Sequence, residues 1–296
     1  MKEGAPSWTA AWVAGLRGLA PMLPREARLA EDPYGARFAG GPFVPLRAAA
    51  EHHPRLAPLL ASLGGSQVLG RVLMMQARTR ALDDLLRDFV RASGRQLVLL
   101  GAGYDARAWR LRDELEGVRV FEVDHPSTQS RKRQVLEEAG APPAEVSFLP
   151  WDFERRPLAE LPAALAALGH DPARRTLTLW EGVTNYLSAD AIDATVRTVR
   201  AYAAPGSLLG FTYAELHTIH RPRGWERVDQ WFIARAGEPF RFGFDPAAVP
   251  AFLHERGFAL QSDQSLAAFA AEKLPRRYQR YLGALHIRHV AVARAT

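Results

Sequence analysis

The 296-residue sequence contains no cysteine, which excludes disulfides, zinc–thiolate sites and a cysteine nucleophile. It also lacks any uninterrupted apolar run close to the roughly 18–20 residues that cross a bilayer. The apolar stretch at the N-terminus is interrupted by Gly15, Arg17 and Gly18, which is typical of an amphipathic helix and not of a signal peptide. We therefore expect a soluble cytoplasmic protein without a membrane partner.

Lysine is almost absent, since only Lys2, Lys132 and Lys273 accompany the arginines among 38 basic residues. The net charge of +6 raises the question of a nucleic-acid partner. The arginines, however, are scattered among 32 acidic residues and form no long basic tract. We therefore expect a small-molecule partner and not a nucleic acid.

The chain has no internal repeat and no Gly/Ser-rich linker that would divide it. Residues 1–65 are rich in Pro, Ala and Arg and predict an N-terminal helical cap. Residues 66–296 would form the main domain, with a cap insertion near 213–245. A sharp i, i+3, i+4 apolar periodicity predicts a long amphipathic helix from about residue 66 to 92.

Beyond that helix, short apolar runs alternate with helical patterns. Seven runs are candidate strands, at 96–103, 118–124, 146–153, 176–182, 207–213, 258–262 and 287–294. Such alternation indicates parallel βαβ units whose sheet is covered by helices on both faces. The sequence therefore predicts a Rossmann-like α/β fold.

The first candidate strand runs into a glycine turn that contains Gly101, Gly103 and Asp105. Glycine lets the backbone turn tightly and lets a ligand approach closely, and the amides of the following helix then face the ligand. Gly101, Gly103 and Ala106 also satisfy the dinucleotide fingerprint G-x-G-x-x-G/A, so an NAD site stays open. A turn without any ligand is the third interpretation.

Acidic residues follow the next two candidate strands. Asp124 could accept both hydroxyls of an adenosine ribose or cap the following helix, and the two roles can coexist. Asp152 could accept the adenine amino group while Phe153 packs against the ring. Alternatively, Asp152 is a surface acid that pairs with Arg155 or Arg156.

Arg78 projects from the apolar stripe of the long helix, because it lies three residues after Met75 and four before Leu82. An arginine on a buried face usually binds a carboxylate or a phosphate. A ligand could supply that group, but an internal ion pair with Asp83 or Glu181 would satisfy the arginine equally well.

Taken together, these segments resemble the leucine carboxyl methyltransferase family, including its bacterial branch of polyketide carboxyl O-methyltransferases. The resemblance covers most of the chain beyond residue 30 and is carried by QARTRALDD (76–84), LVLLGAGYDARAWRL (97–111), VFEVDHPSTQSRK (120–132), WDF (151–153), WEGVTNYLS (180–188), GEPFRFGF (237–244) and FLHERGF (252–258). It implies a class I methyltransferase fold, in which the last of seven strands is inserted antiparallel, and S-adenosyl-L-methionine as the cofactor.

The resemblance also implies a role for particular positions. Arg78 would hold the carboxylate of the cofactor, with Glu181 near its amino group. Asp124 would take the ribose hydroxyls, and Asp152 with Phe153 would take the adenine. The candidate cofactor-binding residues are then Arg78, Gly101, Gly103, Asp105, Asp124, Asp152, Phe153 and Glu181, and Tyr186 is the candidate for orienting the acceptor.

The acceptor itself is not identified by any motif. Methyl transfer from a sulfonium is an in-line displacement that depends on positioning in a dry pocket. A carboxylic acid is already ionised near pH 7 and needs no base, whereas a phenol or hydroxyl acceptor needs one within hydrogen-bond reach. The candidate bases are Glu181, His125, His217 and His220.

Other classes of site and protein stay open at this level. The His217-x-x-His220 spacing could ligate a metal, but no third ligand is apparent and we expect none. A nicotinamide-dependent dehydrogenase would share the glycine turn and Asp124, but this sequence contains no Tyr-x-x-x-Lys pair. A non-catalytic binding protein would share the whole fold. The oligomeric state is not predicted.

Overall fold

Seven strands form one sheet in the order β3-β2-β1-β4-β5-β7-β6 in the computed structural model, which describes residues 7–53, 65–222, 227, 230–231, 234–235 and 237–296. The strands are β1 (Gln96–Leu100), β2 (Arg119–Asp124), β3 (Val146–Pro150), β4 (Thr176–Trp180), β5 (Leu208–Ala214), β6 (Phe258–Ser265) and β7 (Arg288–Ala295). All neighbours are parallel except β7, which is antiparallel to β5 and to β6. The predicted seven-stranded, mostly parallel sheet is confirmed.

Helices precede, connect and follow these strands. They are α1 (Trp8–Gly18), α2 (Gly35–Ala39), α3 (Phe43–His52), α4 (Gly65–Arg91), α5 (Arg107–Arg110), α6 (Pro126–Glu138), α7 (Leu161–Ala167), α8 (Ala189–Tyr202), α9 (Leu216–His220), α10 (Val249–His254), α11 (Leu266–Lys273) and α12 (Arg276–Gln279). Short 3₁₀ turns lie at Ala20–Met22, Arg25–Ala27, Leu158–Glu160, Thr184–Tyr186, Pro246–Ala248 and Gly283–Leu285. Among the helices described here, none is both long and apolar enough to span a bilayer.

Strand β1 shows why the sheet is buried on both faces. Its five residues are all buried, and alternate side chains enter opposite cores, as the pleat requires. Leu97 and Leu99 pack with residues of α4, whereas Val98 and Leu100 pack with residues of α8. A near-continuous apolar strand is therefore the pattern that this position in the sheet demands.

The long helix α4 confirms the predicted periodic segment to within a residue at each end. Its Leu82 and Leu86 share a core with Leu16 and Leu19 from the N-terminal region and with strand residues. Apolar residues from both sides of residue 65 therefore meet in one core. The division of the chain at that residue stays a prediction.

Helix α5 is a single turn, although the sequence ARAWRLRDELE (106–116) has a longer helical pattern. It ends at Arg110, and hydrogen-bonded turns carry the chain on to Gly117, whose φ is +71°. The single helical turn places Arg107 and Arg110 so that both reach the buried carboxylate of Asp83.

A buried ion pair fixes α6 to the sheet. Lys132 Nζ lies 2.6 Å from Glu122 Oε2, and neither side chain is exposed. Burial raises the pKa of Glu122 to about 7, although the charge of Lys132 opposes the shift. Removing one partner of such a pair leaves the other as an uncompensated charge in the interior.

We expect Lys132→Met to lower the free energy of unfolding by about 3–5 kcal/mol at pH 9, where Glu122 would be left charged and unpaired. The loss should be smaller at pH 6, because the pKa of Glu122 in the folded variant lies above its unfolded value and stability falls as the pH rises between the two. Urea denaturation at both pH values measures the difference.

The matched control is the double variant Glu122→Leu, Lys132→Met, which replaces the pair by apolar side chains and should recover most of the loss. An equal loss at pH 6 and pH 9 for the single variant would mean that packing and not charge is responsible.

Candidate functional site

A cavity of about 1530 Å³ opens at the carboxyl ends of the parallel strands. All the residues that the sequence singles out as candidates line it: Arg78, Gly101, Gly103, Asp105, Asp124, Asp152, Phe153, Glu181 and Tyr186. They come from α4, from the turn after β1, and from the ends of β2, β3 and β4. The topology thus brings together side chains that lie up to about a hundred residues apart in the chain.

The turn after β1 uses glycine for its backbone conformation. Gly101 and Gly103 have φ values of +66° and +49°, which L side chains rarely adopt. A Cβ at Gly101 would lie 2.7 Å from a methyl group of Val183, and one at Gly103 would lie 3.5 Å from the Cβ of Ala10. A side chain at Gly101 would therefore collide with Val183, and both glycines line the cavity with bare backbone.

Asp124, the last residue of β2, is held by two backbone donors. The amides of Gly103 and His125 donate to its two carboxylate oxygens, each at 2.6 Å. Burial raises the pKa of Asp124, and the two hydrogen bonds oppose that shift. The alternative role as helix cap is wrong, because His125 occupies the N-cap position of α6 and accepts from the amide of Ser127.

Asp152 and Phe153 follow β3 at the rim of the cavity. Asp152 Oδ2 lies 3.7 Å from Arg155 Nε and 3.8 Å from His125 Nε2, so the ion pair with Arg155 that the sequence left open is present. The ring of Phe153 is 40% exposed. Thr128 also lines the cavity, and its buried hydroxyl has no hydrogen-bond partner within the described part of the chain.

Glu181, directly after β4, is bound by two arginines. Arg78 Nε lies 2.7 Å from one of its oxygens and Arg107 Nη1 lies 2.7 Å from the other. Burial would raise the pKa of Glu181, but the charges of Arg107 and Arg78 hold it well below its usual range. The internal ion pair proposed for Arg78 is therefore present, although Arg78 still lines the cavity.

Arg107 was not singled out by sequence reasoning, yet it is the most connected charge at the site. Its guanidinium contacts Asp83 at 2.8 Å, as well as Asp105 and Glu181, and its side chain is 1% exposed. It lies inside the motif 97–111, but nothing in the local pattern separates a buried arginine from its exposed neighbours.

A second buried arginine attaches α1 to the glycine turn. Arg17 Nε lies 2.5 Å from Asp32 Oδ2, and Arg17 Nη2 donates to the carbonyl oxygen of Tyr104 at 2.5 Å. In turn, Asp32 accepts from the amides of Tyr34 and Gly35. Helix α1 is thereby held against the turn that the cofactor is expected to use.

Tyr186 lies in the 3₁₀ turn after β4, with its ring centroid 5.4 Å from that of Phe240. Burial raises the pKa of Tyr186 to about 12, and the neighbouring charge of Glu238 adds to the shift. The phenol therefore keeps its proton at neutral pH and can donate a hydrogen bond to a ligand in the cavity.

The candidate histidine bases are dispersed. His217 and His220 are exposed and do not line the cavity, whereas His125 does and lies 2.8 Å from the hydroxyl of Ser127. In the described ranges no group of three or more potential ligands could hold a metal ion.

His289 lines the cavity but was missed by sequence reasoning. Its Nδ1 lies 2.9 Å from Asp263 and its Nε2 lies 3.1 Å from Glu215. Burial would lower the pKa of His289, but hydrogen bonds to the two carboxylates raise it. Both nitrogens can donate only as imidazolium, so this residue is poorly suited to accept a proton.

Comparison with known proteins identifies relatives of this chain. A profile of the leucine carboxyl methyltransferase family matches residues 10–200. A protein of Frankia alni named as an S-adenosyl-L-methionine-dependent methyltransferase is 41% identical over 153 residues, which cover 51% of this chain and 52% of that protein. A Mycolicibacterium smegmatis protein named in the same way is 33% identical over 276 residues, which cover 89% of this chain and 85% of that protein.

The chain therefore spans about half the length of the first relative and most of the second. A crystal structure from Thermobifida fusca, of a protein named as a methyltransferase, has a TM-score of 0.55 at 18% identity, and the match covers 94% of this chain and 97% of that one. At that identity, the likeness is one of fold.

We expect Asp124→Ala to weaken binding of S-adenosyl-L-methionine about ten- to hundredfold, because a carboxylate that accepts ribose hydroxyls contributes charge-assisted hydrogen bonds. Isothermal titration calorimetry measures the affinity, and the thermal midpoint checks that the variant is folded. Asp113→Ala, at an acid whose side chain is 88% exposed, is the matched control and should bind as the parent does. Unchanged affinity in Asp124→Ala would contradict the ribose assignment.

Proposed function

Because the chain belongs to the leucine carboxyl methyltransferase family of S-adenosyl-L-methionine-dependent enzymes, we propose that it methylates a carboxylate oxygen of a small molecule. The family match supports the methyltransferase interpretation over the nicotinamide alternative, which rested on the glycine turn and Asp124. That the methyl group is transferred to an oxygen, and that this oxygen belongs to a carboxylic acid, is proposed from the residues of the cavity.

The residues of the cavity fit the proposed cofactor. Gly101 and Gly103 line the cavity with bare backbone, and Thr128 lines it too, with a buried hydroxyl that has no partner among the described residues. Carboxylates outnumber arginines at this end, five to three: Asp105, Asp124, Asp152, Glu154 and Glu181 against Arg17, Arg78 and Arg155. Such an excess of negative charge suits a cation.

When bound, the cofactor supplies an electrophilic methyl group on a sulfonium, which an acceptor oxygen takes with its lone pair while the electrons of the S–C bond stay on sulfur. Asp124 would hold the ribose hydroxyls, and Asp152 and Phe153 the adenine. Glu181, which stays ionised beside Arg107, would accept from the amino group, and Arg78 would hold the carboxylate of the cofactor.

The observation that carries the proposal is the state of the potential bases around Tyr186. Glu181 is bound by two arginines, which lower its pKa. His289 is enclosed by two carboxylates, and Glu238 accepts a hydrogen bond from the hydroxyl of Ser7 at 3.0 Å. None of these three residues is poised to deprotonate a phenol, and the remaining candidate base in the lining, His125, lies beside Asp152 at the end assigned to the adenine. A carboxylate acceptor needs no base.

Tyr186 is then the residue that orients the acceptor. Its phenol keeps its proton, so it can donate to one carboxylate oxygen while the other faces the methyl group. The carboxylate enters ionised and leaves as a neutral ester, so no proton has to be removed.

The test is transfer of labelled methyl from S-adenosyl-L-methionine to a panel of carboxylic acids, each paired with the phenol or alcohol of the same skeleton. We expect label in base-labile esters and a rate that is nearly flat between pH 6 and 9, because carboxylates with a pKa near ~4 are ionised throughout. Labelled ethers, or a rate that rises towards the pKa of a phenol near ~10, would contradict the carboxylate assignment.

Tyr186→Phe tests the positioning residue. We expect the transfer rate to fall about ten- to hundredfold, as for the loss of one hydrogen bond to a charged group, with unchanged affinity for the cofactor. Equal loss of cofactor affinity would place Tyr186 with the cofactor and not with the acceptor.

A further inference from the structure

The cavity is larger than one ligand requires. Small-molecule sites occupy roughly 300–1,000 Å³, whereas this cavity measures about 1530 Å³. The part not assigned to the cofactor is bordered by α1, the first half of α4, residues 237–241 and the start of β7. We call this part the distal end; its lining includes Trp8, Trp12, Arg71, Met74, Phe240 and Arg288.

Two tryptophans of α1 form an aromatic wall at the distal end. Trp8 and Trp12 stack with ring centroids 5.7 Å apart and planes inclined by 13°. The Trp12 ring also meets Phe43 edge-on at 5.1 Å. Both tryptophans line the cavity and yet remain 50% and 41% exposed, so a ligand could bury a large apolar area there.

Two methionines also line the cavity. Met74 and Met75 lie on the same helical face as Arg71 and Arg78, at i, i+3, i+4 and i+7 spacing on α4. Thioethers adapt to ring edges and pack well on aromatic ligands. The chemistry of the wall therefore suits a flat, apolar ring system.

The aromatic wall is joined to the Tyr186 region by specific contacts. Ser7, which caps α1, donates to Glu238 at 3.0 Å and so fixes the start of the helix beside residues 237–241. Phe240 in that segment contacts the Tyr186 ring, and the Arg288 guanidinium lies 5.3 Å from the Phe240 centroid. Arg288 and Tyr186 thus flank one ring.

The charged residues that line the two ends of the cavity differ. Carboxylates predominate in the lining of the cofactor end, whereas among the described residues Arg71, Arg241, Arg288 and Glu238 line the distal end. Arg288 is half-buried, where its charge is screened less than that of an exposed side chain. The distal end is therefore matched to an anion that also carries apolar surface.

We propose that the distal end binds an aromatic carboxylic acid, with the ring system against Trp8 and Trp12 and the carboxylate paired with Arg288 beside Tyr186. The inference rests on the proposed function and gives its acceptor a chemical class. Arg288 would hold one carboxylate oxygen and leave the other free to take the methyl group.

The experiment is calorimetric titration of 2-naphthoate into the full chain, with and without saturating S-adenosylhomocysteine. Decanoate tests an aliphatic occupant and 2-naphthylmethanol tests a neutral one. We expect 2-naphthoate to bind about ten- to hundredfold more tightly than the alcohol, the range that one charge-assisted hydrogen-bonded pair supplies. It should also bind more tightly than decanoate, because only the ring can stack.

Variants assign the two contacts separately. Arg288→Gln should remove the preference for the acid over the alcohol, whereas Trp12→Ala should weaken both ring ligands together. Arg91→Gln and Trp231→Ala, at exposed positions outside the cavity lining, are the matched controls and should leave all affinities unchanged.

The outcomes separate this inference from the function on which it rests. Binding of S-adenosylhomocysteine with no binding of 2-naphthoate, or with tighter binding of decanoate, would overturn the aromatic acceptor and leave the methyltransferase proposal intact. Absence of S-adenosylhomocysteine binding would overturn the proposed function. The titration of 2-naphthoate alone would still show whether the distal end binds an aromatic acid. An undiminished acid preference in Arg288→Gln would overturn the role of that arginine.

Discussion

Buried arginines paired with carboxylates hold the glycine turn in place. Four arginines meet four carboxylates there, so the cluster carries no formal net charge: Arg17, Arg78, Arg107 and Arg110 with Asp32, Asp83, Asp105 and Glu181. Taking one such charge out of water without its partner costs several kcal/mol, so the members must fold together. The cluster links α1, α4, the turn after β1 and the end of β4. All four of these segments border the cavity.

Because the charges of the cluster balance one another, the cavity lining keeps further acids, including Asp124, at one end and further arginines at the distal end. The sulfonium donor and the proposed carboxylate acceptor have opposite charges, and both charges disappear on transfer. Surroundings of low dielectric strengthen the attraction between them and favour the uncharged product side.

Helix α1 contributes both to the core and to the site. Leu16 anchors it among residues of the sheet and α4, and Arg17 ties it to the carbonyl of Tyr104. Its other end carries the exposed tryptophans that border the cavity. An N-terminal segment that reads as a separate cap in the sequence is therefore part of the wall where the acceptor is proposed to bind.

The sequence by itself determined what depends on neighbours along the chain: the seven strands, the long helix α4, the glycine turn and the acids that follow β2 and β3. These features follow from short apolar runs, from period-3.6 burial and from the need for positive φ at Gly101 and Gly103. Only the tertiary structure decided which charges pair and which aromatic rings reach the cavity. Arg17, Arg107 and His289 could not be selected in advance, because a side chain is buried or exposed according to partners far away in sequence, and local periodicity carries no record of them.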